Sequence, residues 1–245
     1  MLDAMSIKKA IQYDNSTGLS TGFVNLGDNT EHDDEATEVL VFMIVGLRGH
    51  WKAPVAYFFT HTLQASTQQQ LVLHTISSLR EIDMQVCALT MDGHATNVAM
   101  CSLLGCQLDP AKHLKTYFYV EGCPEPVYVF MDACHMIKLV RNMLQACKVI
   151  KTPSGEVRWK FIKLLHQQQQ DLGLRIANRL SQRHVDFQKQ KMKVNLAVQT
   201  ISDSVAKALQ FMLQMDVPQF AGCEGTIEFI KYALCHFIFP LSCKV

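Results

Sequence analysis

The sequence predicts an α/β fold, in which a mixed sheet with flanking helices is followed by a mostly α-helical domain. Apolar, β-branched runs of strand length fall in the first half of the 245 residues. Segments with helical spacing alternate with the later strands, which indicates a sheet covered by helices. Beyond residue 150 the patterns are helical, and the turn "TPSGE" (152–156) marks a boundary. We therefore predict one domain at residues 1–149 and a second at 150–232.

The first three strands are predicted from short apolar segments. They are "TGFVNLG" (21–27), "TEVLVFMIVGL" (37–47) and "WKAPVAYFFT" (51–60). The second is nearly all apolar, which is typical of a central strand. Pro54 cannot donate a ladder hydrogen bond, so it places the third strand at an edge or beside a bulge.

Helices and strands then alternate. Residues 66–83 repeat apolar side chains at helical spacing, and Ser66 or Thr67 can cap that helix. The following segments predict a strand at 84–92 and a helix at 95–105 that Gly105 closes. They are followed by another strand at 126–132 and an amphipathic helix at 133–148. The resulting order is β-β-β-α-β-α-β-α.

The second half of the chain predicts helices only. The clearest segments are "EVRWKFIKLLHQQQQ" (156–170) and residues 188–214, which contain neither Gly nor Pro and predict one unbroken helix. We therefore expect residues 133–232 to form helices apart from the sheet, joined to it by the helix that starts at Ala133.

Composition separates two charged regions and excludes several classes of protein. Residues 1–132 carry 7 Lys/Arg and 15 Asp/Glu, a net charge of −8, whereas residues 133–193 carry 13 and 3, a net charge of +10. This basic block suits a phosphate backbone or a solvated helical surface. We find no apolar run of about 20 residues and no signal-peptide pattern, so we expect no membrane association. Nine cysteines without a CxxC motif favour reduced thiols that pack in the core.

Two acidic residues lie where strands are predicted to meet. Asp92 ends the strand "VCALTM" in "LTMDGHATN" (89–97), and Asp3 lies in "MLDAMSIKK". Three antiparallel strands followed by a helix, a strand and an acid is the order of an RNase H-like fold, in which the first and fourth strands are neighbours. We expect both carboxylates at one edge of the sheet, as catalytic ligands of Mg²⁺ or Mn²⁺. The alternative for Asp92 is to cap the next helix.

Seven motifs, in the same order along the chain, resemble the P element transposase family, including its vertebrate THAP-domain relatives. They are "LDAMSIKK", "FVNLGD", "WKAPVAYFF", "LTMDGHATNVAM", "LGCQLDP", "VYVFMDACHMIKLVRNML" and "FAGCEGTIEFIKY". The resemblance extends to about residue 232 and implies an RNase H-like transposase core, a partial helical GTP-binding insertion domain and a divergent tail at 233–245.

The resemblance also implies an activity and its ligands. The family cuts and joins DNA with three acidic residues and Mg²⁺; Asp3 matches the first acid and Asp92 the second. It further implies GTP as a ligand, transposon-end DNA as a partner, a homo-oligomer and a nuclear location. GTP binding has no local motif here, because the chain lacks GxxxxGK[ST].

Departures from the family pattern predict an inactive fragment. The zinc-binding THAP module is absent from these residues, and "ALCHFIFPLSCKV" (233–245) does not resemble the family. No Glu matches the third acid, since Glu224 and Glu228 are expected to be exposed helix residues of the insertion domain. Asp3 follows only two residues, so we expect it at a frayed terminus and not on a paired strand.

Two functions therefore remain open at this point. The first is a truncated transposase that binds metal weakly and does not cut DNA. The second is a domesticated, non-catalytic fragment that binds DNA or a partner protein through the basic block.

Five further residues near the predicted strand ends are candidates for a role in the site. Asp132 can cap the helix that follows it, and His135 can lie near the site as a supporting residue. His94 is either adjacent to a metal or a surface histidine. Lys138 and Arg141, three residues apart, face either DNA or solvent.

Overall fold

The structure is a computed structural model that describes residues 1–16, 18–27, 32–176 and 178–237. It divides between Asp132 and Ala133 into a first unit, here called the sheet unit, and a second, here called the helical unit. The two units are described separately. Among the described residues, no helix combines the length and the apolarity that crossing a bilayer requires.

The sheet unit contains eight strands in its described part. In chain order they are β1 (Leu2–Ser6), β2 (Gln12–Asp14), β3 (Leu19–Thr21), β4 (Glu38–Val45), β5 (Lys52–Thr60), β6 (Ala88–Met91), β7 (Tyr117–Phe118) and β8 (Val127–Met131). β1, β4 and β5 form an antiparallel ladder in that order, and β2 pairs with β3 as a hairpin. β6 and β8 are parallel, with β7 antiparallel on the other side of β8.

The third predicted strand has the irregularity that its proline predicted. Phe42 pairs with Ala56 but Met43 pairs with Pro54, so Val55 is an extra residue in β5. β5 also lies at the edge of its ladder. Both parts of the prediction for Pro54 are therefore confirmed.

The predicted strand at residues 21–27 is wrong. β3 ends at Thr21, and Phe23 and Asn25 form only isolated bridges. The cause is Gly22, which has φ +109° and whose Cβ, if present, would lie 2.1 Å from the Ala10 carbonyl oxygen. A backbone with this geometry turns away from the extended conformation.

Two helices of the sheet unit are α1 (Ala65–Glu81) and α2 (Ala95–Leu103). The N-cap of α1 is Gln64, which makes no capping bond, so the prediction that Ser66 or Thr67 caps this helix is wrong. Both residues already lie inside the first turn. Gly105 follows α2 with φ +87°, as its predicted role at the helix end requires.

The first strand is fully paired. All five residues of β1 face partners on β4, with Asp3 opposite Val41, and Met43 donates a further hydrogen bond to the Met1 carbonyl. The expectation of a frayed Asp3 is therefore wrong, because the eight-residue β4 offers backbone partners along the whole of β1. Cα atoms of β1 also lie within 8 Å of Cα atoms of β6. A buried cluster that includes Leu2, Phe42 and Met91 joins these strands to the helices.

The helical unit contains six helices and one hairpin in its described part. They are α3 (Ala133–Cys147), β9 (Val149–Thr152), β10 (Gly155–Arg158), α4 (Lys160–Leu172), α5 (Gln182–Val185), α6 (Val194–Thr200), α7 (Asp203–Gln214) and α8 (Glu224–Phe237). Short 3-10 turns lie at Gln188–Gln190 and Pro218–Phe220. α3 packs against α6 and α8. The domain limits at residues 149 and 232 remain a prediction.

Two expectations for this region are wrong. Residues 133–232 are not helical throughout, because β9 and β10 pair antiparallel and "TPSGE" forms the turn between them. Residues 188–214 are not one helix, because α6 ends before Ile201 and Ser202 starts α7 by accepting a hydrogen bond from the Val205 amide. The hairpin is held to α8, where the Thr226 hydroxyl accepts from the Arg158 amide at 3.0 Å.

Candidate active site and candidate ligand cavity

Asp92 lies immediately after β6. The parallel register pairs Met91 with Met131, so Asp92 and Asp132 follow neighbouring strands at the same end of the sheet. The Asp132 amide donates to the Met91 carbonyl at 2.7 Å, which extends the pairing to the last residue before α3. The carboxyl ends of parallel strands are the usual place for a site in such sheets.

The Asp92 carboxylate is held by two hydrogen bonds on one oxygen. Oδ1 accepts from the His94 amide at 3.0 Å and from Asn97 Nδ2 at 2.6 Å. His94 and not Asp92 is the N-cap of α2, and its Nδ1 accepts from the Thr96 amide at 3.4 Å. The capping alternative for Asp92 is therefore wrong. His94 has a structural role that the sequence did not indicate.

A third side chain extends this arrangement into the core. Gln68, on α1 and 3% exposed, donates from Nε2 to Asn97 Oδ1 at 2.5 Å. Two amides therefore lead from a buried side chain on α1 to a half-buried carboxylate. Sequence reasoning did not identify Gln68 or Asn97 as site residues, although Asn97 lies within the motif "LTMDGHATNVAM" (89–100).

Asp3 is an exposed residue on β1, whose neighbour β6 leads directly to Asp92. Carboxylate oxygens are ligands that suit Mg²⁺ or Mn²⁺, and both hydrogen bonds described for Asp92 leave its Oδ2 unused. Within the described ranges, no group of three or more His, Cys, Asp or Glu side chains is arranged to hold a metal ion. Asp3 and Asp92 remain the predicted ligands.

The buried cysteines act as packing residues. Cys101 is fully buried on α2 with its thiol 3.9 Å from Met91 Sδ, and burial raises the pKa of its thiol to about 12. Burial also raises the pKa of Cys106. In the helical unit, burial raises the pKa of Cys223 to about 11. Neutral thiols are poor metal ligands and nucleophiles.

The helical unit contains a cavity of about 1040 Å³, just above the usual size of a ligand site. Its wall is apolar on the α3 side, where Leu139 and Met143 lie. Five cations line it, while no carboxylate does so among the described residues; the cations are Lys148, Arg158, Lys160, Lys163 and Lys191. This combination suits a ligand with an apolar or aromatic part and several negative charges.

Four buried side-chain polar atoms in this unit have no hydrogen-bond partner within the described residues; they are Arg141 Nη1, Trp159 Nε1, Gln169 Oε1 and Gln190 Oε1. Trp159 also lines the cavity. The Arg141 guanidinium lies 3.9 Å from the Phe187 ring centroid and donates to the Lys191 carbonyl at 2.6 Å. Arg141 is therefore fully buried, so the sequence prediction that it faces solvent or DNA is wrong.

The remaining candidates lie on α3 and α8 of the helical unit. Glu224 and Glu228 are exposed on α8, in agreement with the prediction. Lys138 and His135 are half-buried on α3. The cavity itself was missed because its cations come from four separate elements, and no local motif connects them.

Comparison with known proteins identifies both units. Residues 1–105 match the family described as TNP-like, RNase H N-terminal domain, and residues 134–238 match TNP-like, GTP-binding insertion domain. The human protein named DNA transposase THAP9 is 32% identical over 235 residues, which are 94% of this chain and 26% of THAP9.

A solved structure has the same fold. The Drosophila P element transposase strand transfer complex superposes with a TM-score of 0.77 at 22% identity, and covers 95% of this chain and 48% of that one. The chain thus spans about a quarter of the human relative and about half of the solved chain. With an RNase H-like domain followed by a GTP-binding insertion domain, as its resemblance to known motifs had implied, the chain belongs to the P element-type transposase family.

Proposed function

We propose that the sheet unit carries part of a metal-dependent site for DNA strand transfer, with Asp3 and Asp92 as the metal ligands. The observation that supports this most directly is the placement of the two acids. Asp3 is on a fully paired strand, β1 runs beside β6, and Asp92 follows β6 with its Oδ1 fixed by two donors.

The protein residues have a limited task in this chemistry. Asp92 presents an oriented carboxylate, and Asp3 presents a second one from a rigid backbone. A bound Mg²⁺ or Mn²⁺ supplies activation of the attacking oxygen and neutralisation of phosphate charge. Rigid placement of the ligands is what such sites depend on.

We further propose that these residues alone bind metal weakly and do not cut or join DNA. The described residues contain no third His, Cys, Asp or Glu that would complete a ligand group. Losing one element of transition-state stabilisation costs roughly 3–4 kcal/mol, or about 10²–10³ in rate.

Calorimetric titration with Mn²⁺ tests the site. Asp92→Ala should abolish the binding seen in the wild type. Asp109→Ala is a matched control, because Asp109 Oδ1 also accepts from the amide two residues on, at 3.0 Å from Ala111. Equal Mn²⁺ affinity in the wild type and Asp92→Ala would contradict the metal role of Asp92.

A nicking and strand-transfer assay on labelled duplex DNA with Mn²⁺ tests the second part. We expect no product from the wild type. Product that disappears in Asp92→Ala would show that the site is complete and that another residue supplies the third ligand.

The alternative, a non-catalytic DNA-binding or protein-binding role, rests on the basic residues 133–193 and their net charge of +10. Contacts to phosphates release counterions, so DNA affinity should fall steeply between 50 and 200 mM salt. Filter binding of a duplex at both salt concentrations measures this. Salt-dependent binding without any strand cleavage favours this role; no binding at 50 mM excludes the DNA-binding form of it.

As a second function, we propose that the cavity of the helical unit binds GTP. The family description names GTP, and the five cations that line the cavity suit a nucleotide with a triphosphate. Calorimetry with GTP, ATP and tripolyphosphate separates base recognition from charge. Lys163→Ala and Lys191→Ala should weaken binding. Lys151→Ala should not, because Lys151 is an exposed residue of β9 that does not line the cavity.

A nuclear location and a homo-oligomer follow from a DNA substrate with two ends. Imaging of a tagged chain in cells and sedimentation with and without DNA measure the two properties. A tagged chain excluded from the nucleus, or a monomer at all concentrations on DNA, would contradict them.

A further inference from the structure

A chain of side-chain amides connects the core of the sheet unit to Asp92. Gln68 Nε2 donates to Asn97 Oδ1 at 2.5 Å, and Asn97 Nδ2 donates to Asp92 Oδ1 at 2.6 Å. Gln68 is 3% exposed, so its amide has little access to water. These hydrogen bonds join α1, α2 and the residue that follows β6.

The direction of these hydrogen bonds follows from the charge at one end. An ionised carboxylate can only accept, so Asn97 must present its NH₂ group to Asp92. The Asn97 oxygen then faces Gln68, which must present its own NH₂ group in turn. Asn97 has therefore one orientation that satisfies both neighbours, and Gln68 has one orientation that satisfies Asn97. A change at Gln68 can thus reach Asp92 through Asn97.

We propose that Asn97 is a positioning residue for Asp92, and that Gln68 determines which way the Asn97 amide faces. The proposal rests on the proposed metal role of Asp92. Two donors on Oδ1, from His94 and Asn97, orient the carboxylate plane and leave Oδ2 for the metal. The bond from His94 is a backbone bond, so Asn97 is the part of this arrangement that a side-chain change can remove.

Gln68→Glu is the most specific test. An ionised carboxylate at position 68 offers no donor to the Asn97 oxygen and competes with Asp92 for the Asn97 NH₂ group, so Asp92 Oδ1 loses an orienting donor. We expect the Mn²⁺ dissociation constant to rise about 10-fold to 100-fold, as for other residues that orient a metal ligand. Asn97→Ala and Asn97→Asp should have effects in the same direction.

The matched control is Gln69→Glu. Gln69 is the next residue of α1 and also donates its amide to an acceptor on the α2 segment, the Leu103 carbonyl at 3.0 Å. Gln69→Glu makes the same chemical change on the same helix, but the Gln69 side chain bonds Leu103 and not Asn97. Its Mn²⁺ affinity should equal that of the wild type. A similar loss in Gln69→Glu would mean that α1 acts through general stability and would overturn the proposal.

A readout without metal separates this proposal from the metal site. In NMR spectra of the metal-free protein, the Asn97 NH₂ resonances should be shifted and slow to exchange in the wild type. They should move toward free-amide values in Asp92→Ala and should change position in Gln68→Glu. If the wild type fails to bind Mn²⁺ but these shifts occur, the metal role of Asp92 is wrong and the positioning of Asp92 by Asn97 and Gln68 is supported. Unchanged Asn97 resonances in the variants would overturn that positioning.

Asn97 provides the control for unfolding, because it is only half-buried. Because Gln68 is buried, Gln68→Glu can unfold the sheet unit, and its urea midpoint is measured first. Asn97 is half-buried, so Asn97→Ala should stay folded with a wild-type midpoint. Wild-type Mn²⁺ affinity in a folded Asn97→Ala would overturn the proposal.

Discussion

The sheet unit and the helical unit place their central charged groups in opposite ways. Asp92 stands half-buried at a strand end, with both described hydrogen bonds on one oxygen and the other oxygen unused. Arg141 is fully buried, with Phe187 beside its guanidinium and one nitrogen unpartnered among the described residues. Burial lowers the pKa of Arg141.

The different burial of Asp92 and Arg141 determines what each charged group can do. A carboxylate near water keeps a free coordination position at small cost, which suits an exchangeable metal. A buried guanidinium costs stability unless neighbours satisfy it, so it acts mainly as a packing and hydrogen-bonding centre. Variants of each unit can sharpen or break this comparison.

The largest effect is expected from Arg141. Arg141→Ala should destabilise the helical unit by about 2–5 kcal/mol, because it leaves a cavity beside Phe187 and an unsatisfied Lys191 carbonyl. Arg141→Met keeps the volume and removes the charge, and should stay within about 1.5 kcal/mol of the wild type. Urea unfolding followed by circular dichroism measures both. Equal losses in the two variants would mean that the guanidinium stabilises the unit through its charge and hydrogen bonds and not through its volume.

A close backbone contact in the helical unit gives the next effect. A Cβ on Gly225 would lie 2.9 Å from the Gly155 carbonyl carbon and 3.0 Å from the Glu156 oxygen. Gly225→Ala should therefore force α8 from the hairpin and cost about 1–3 kcal/mol. Gly93→Ala, in the sheet unit, meets no atom within 4 Å and should change stability by less than about 0.5 kcal/mol. Similar midpoints for both variants would show that the hairpin moves freely on α8.

Buried thiols compare the two units at high pH. Burial raises the pKa to about 12 for Cys101 and about 11 for Cys223, against 9.0 in the unfolded chain. Above pH 9 the unfolded state loses its thiol proton first, so stability falls with pH by up to about 1.4 kcal/mol per unit and thiol. The contribution is fully present below pH 9.

Alanine variants isolate the contribution of each thiol to the pH dependence of stability. Cys101→Ala should flatten the fall in urea midpoint between pH 9 and pH 12, and Cys223→Ala between pH 9 and pH 11. Tyrosine and lysine titrate in the same range, so only the difference from the wild type counts. A variant with the wild-type slope would mean that its thiol ionises in the folded protein.

The smallest effect concerns Lys148. It follows α3 with φ +59°, a left-handed conformation that favours glycine, and it lines the cavity. Lys148→Gly should raise stability by about 1 kcal/mol and weaken GTP binding. Lys148→Ala removes the same charge without relieving the backbone, so it should weaken GTP binding alone. If Lys148→Ala also raised stability, the gain in Lys148→Gly could not be attributed to relief of backbone strain at this position.

The long elements of the sheet unit could be predicted because their signals are local. β4 and β5 lie in continuous apolar runs, and α1 shows a regular helical spacing. The RNase H-like assignment also came from motif order and is confirmed by the family match. The hairpin β9–β10 could not be predicted, because each strand has four residues and its stability comes from packing on α8.

The candidate site shows the same limit. Asp92 could be found because it ends an apolar strand and matches a family motif. Its partner Asn97 lies five residues on, outside any helical pairing with Asp92, and Gln68 comes from another helix. Arg141 was read as a surface residue because sequence spacing gives no sign of the Phe187 ring that covers it.

The two tryptophans of the chain lie one in each unit, in contrasting surroundings. Trp51 is 46% exposed beside Gly46, where a Cβ would lie 2.3 Å from its Nε1, whereas Trp159 is 4% exposed and 5.6 Å from the Phe187 ring. Their emission should therefore separate into a red component that acrylamide quenches and a blue component that it does not. Since Trp159 also lines the cavity, the blue component reports optically on events in the helical unit while the red one reports on the sheet unit.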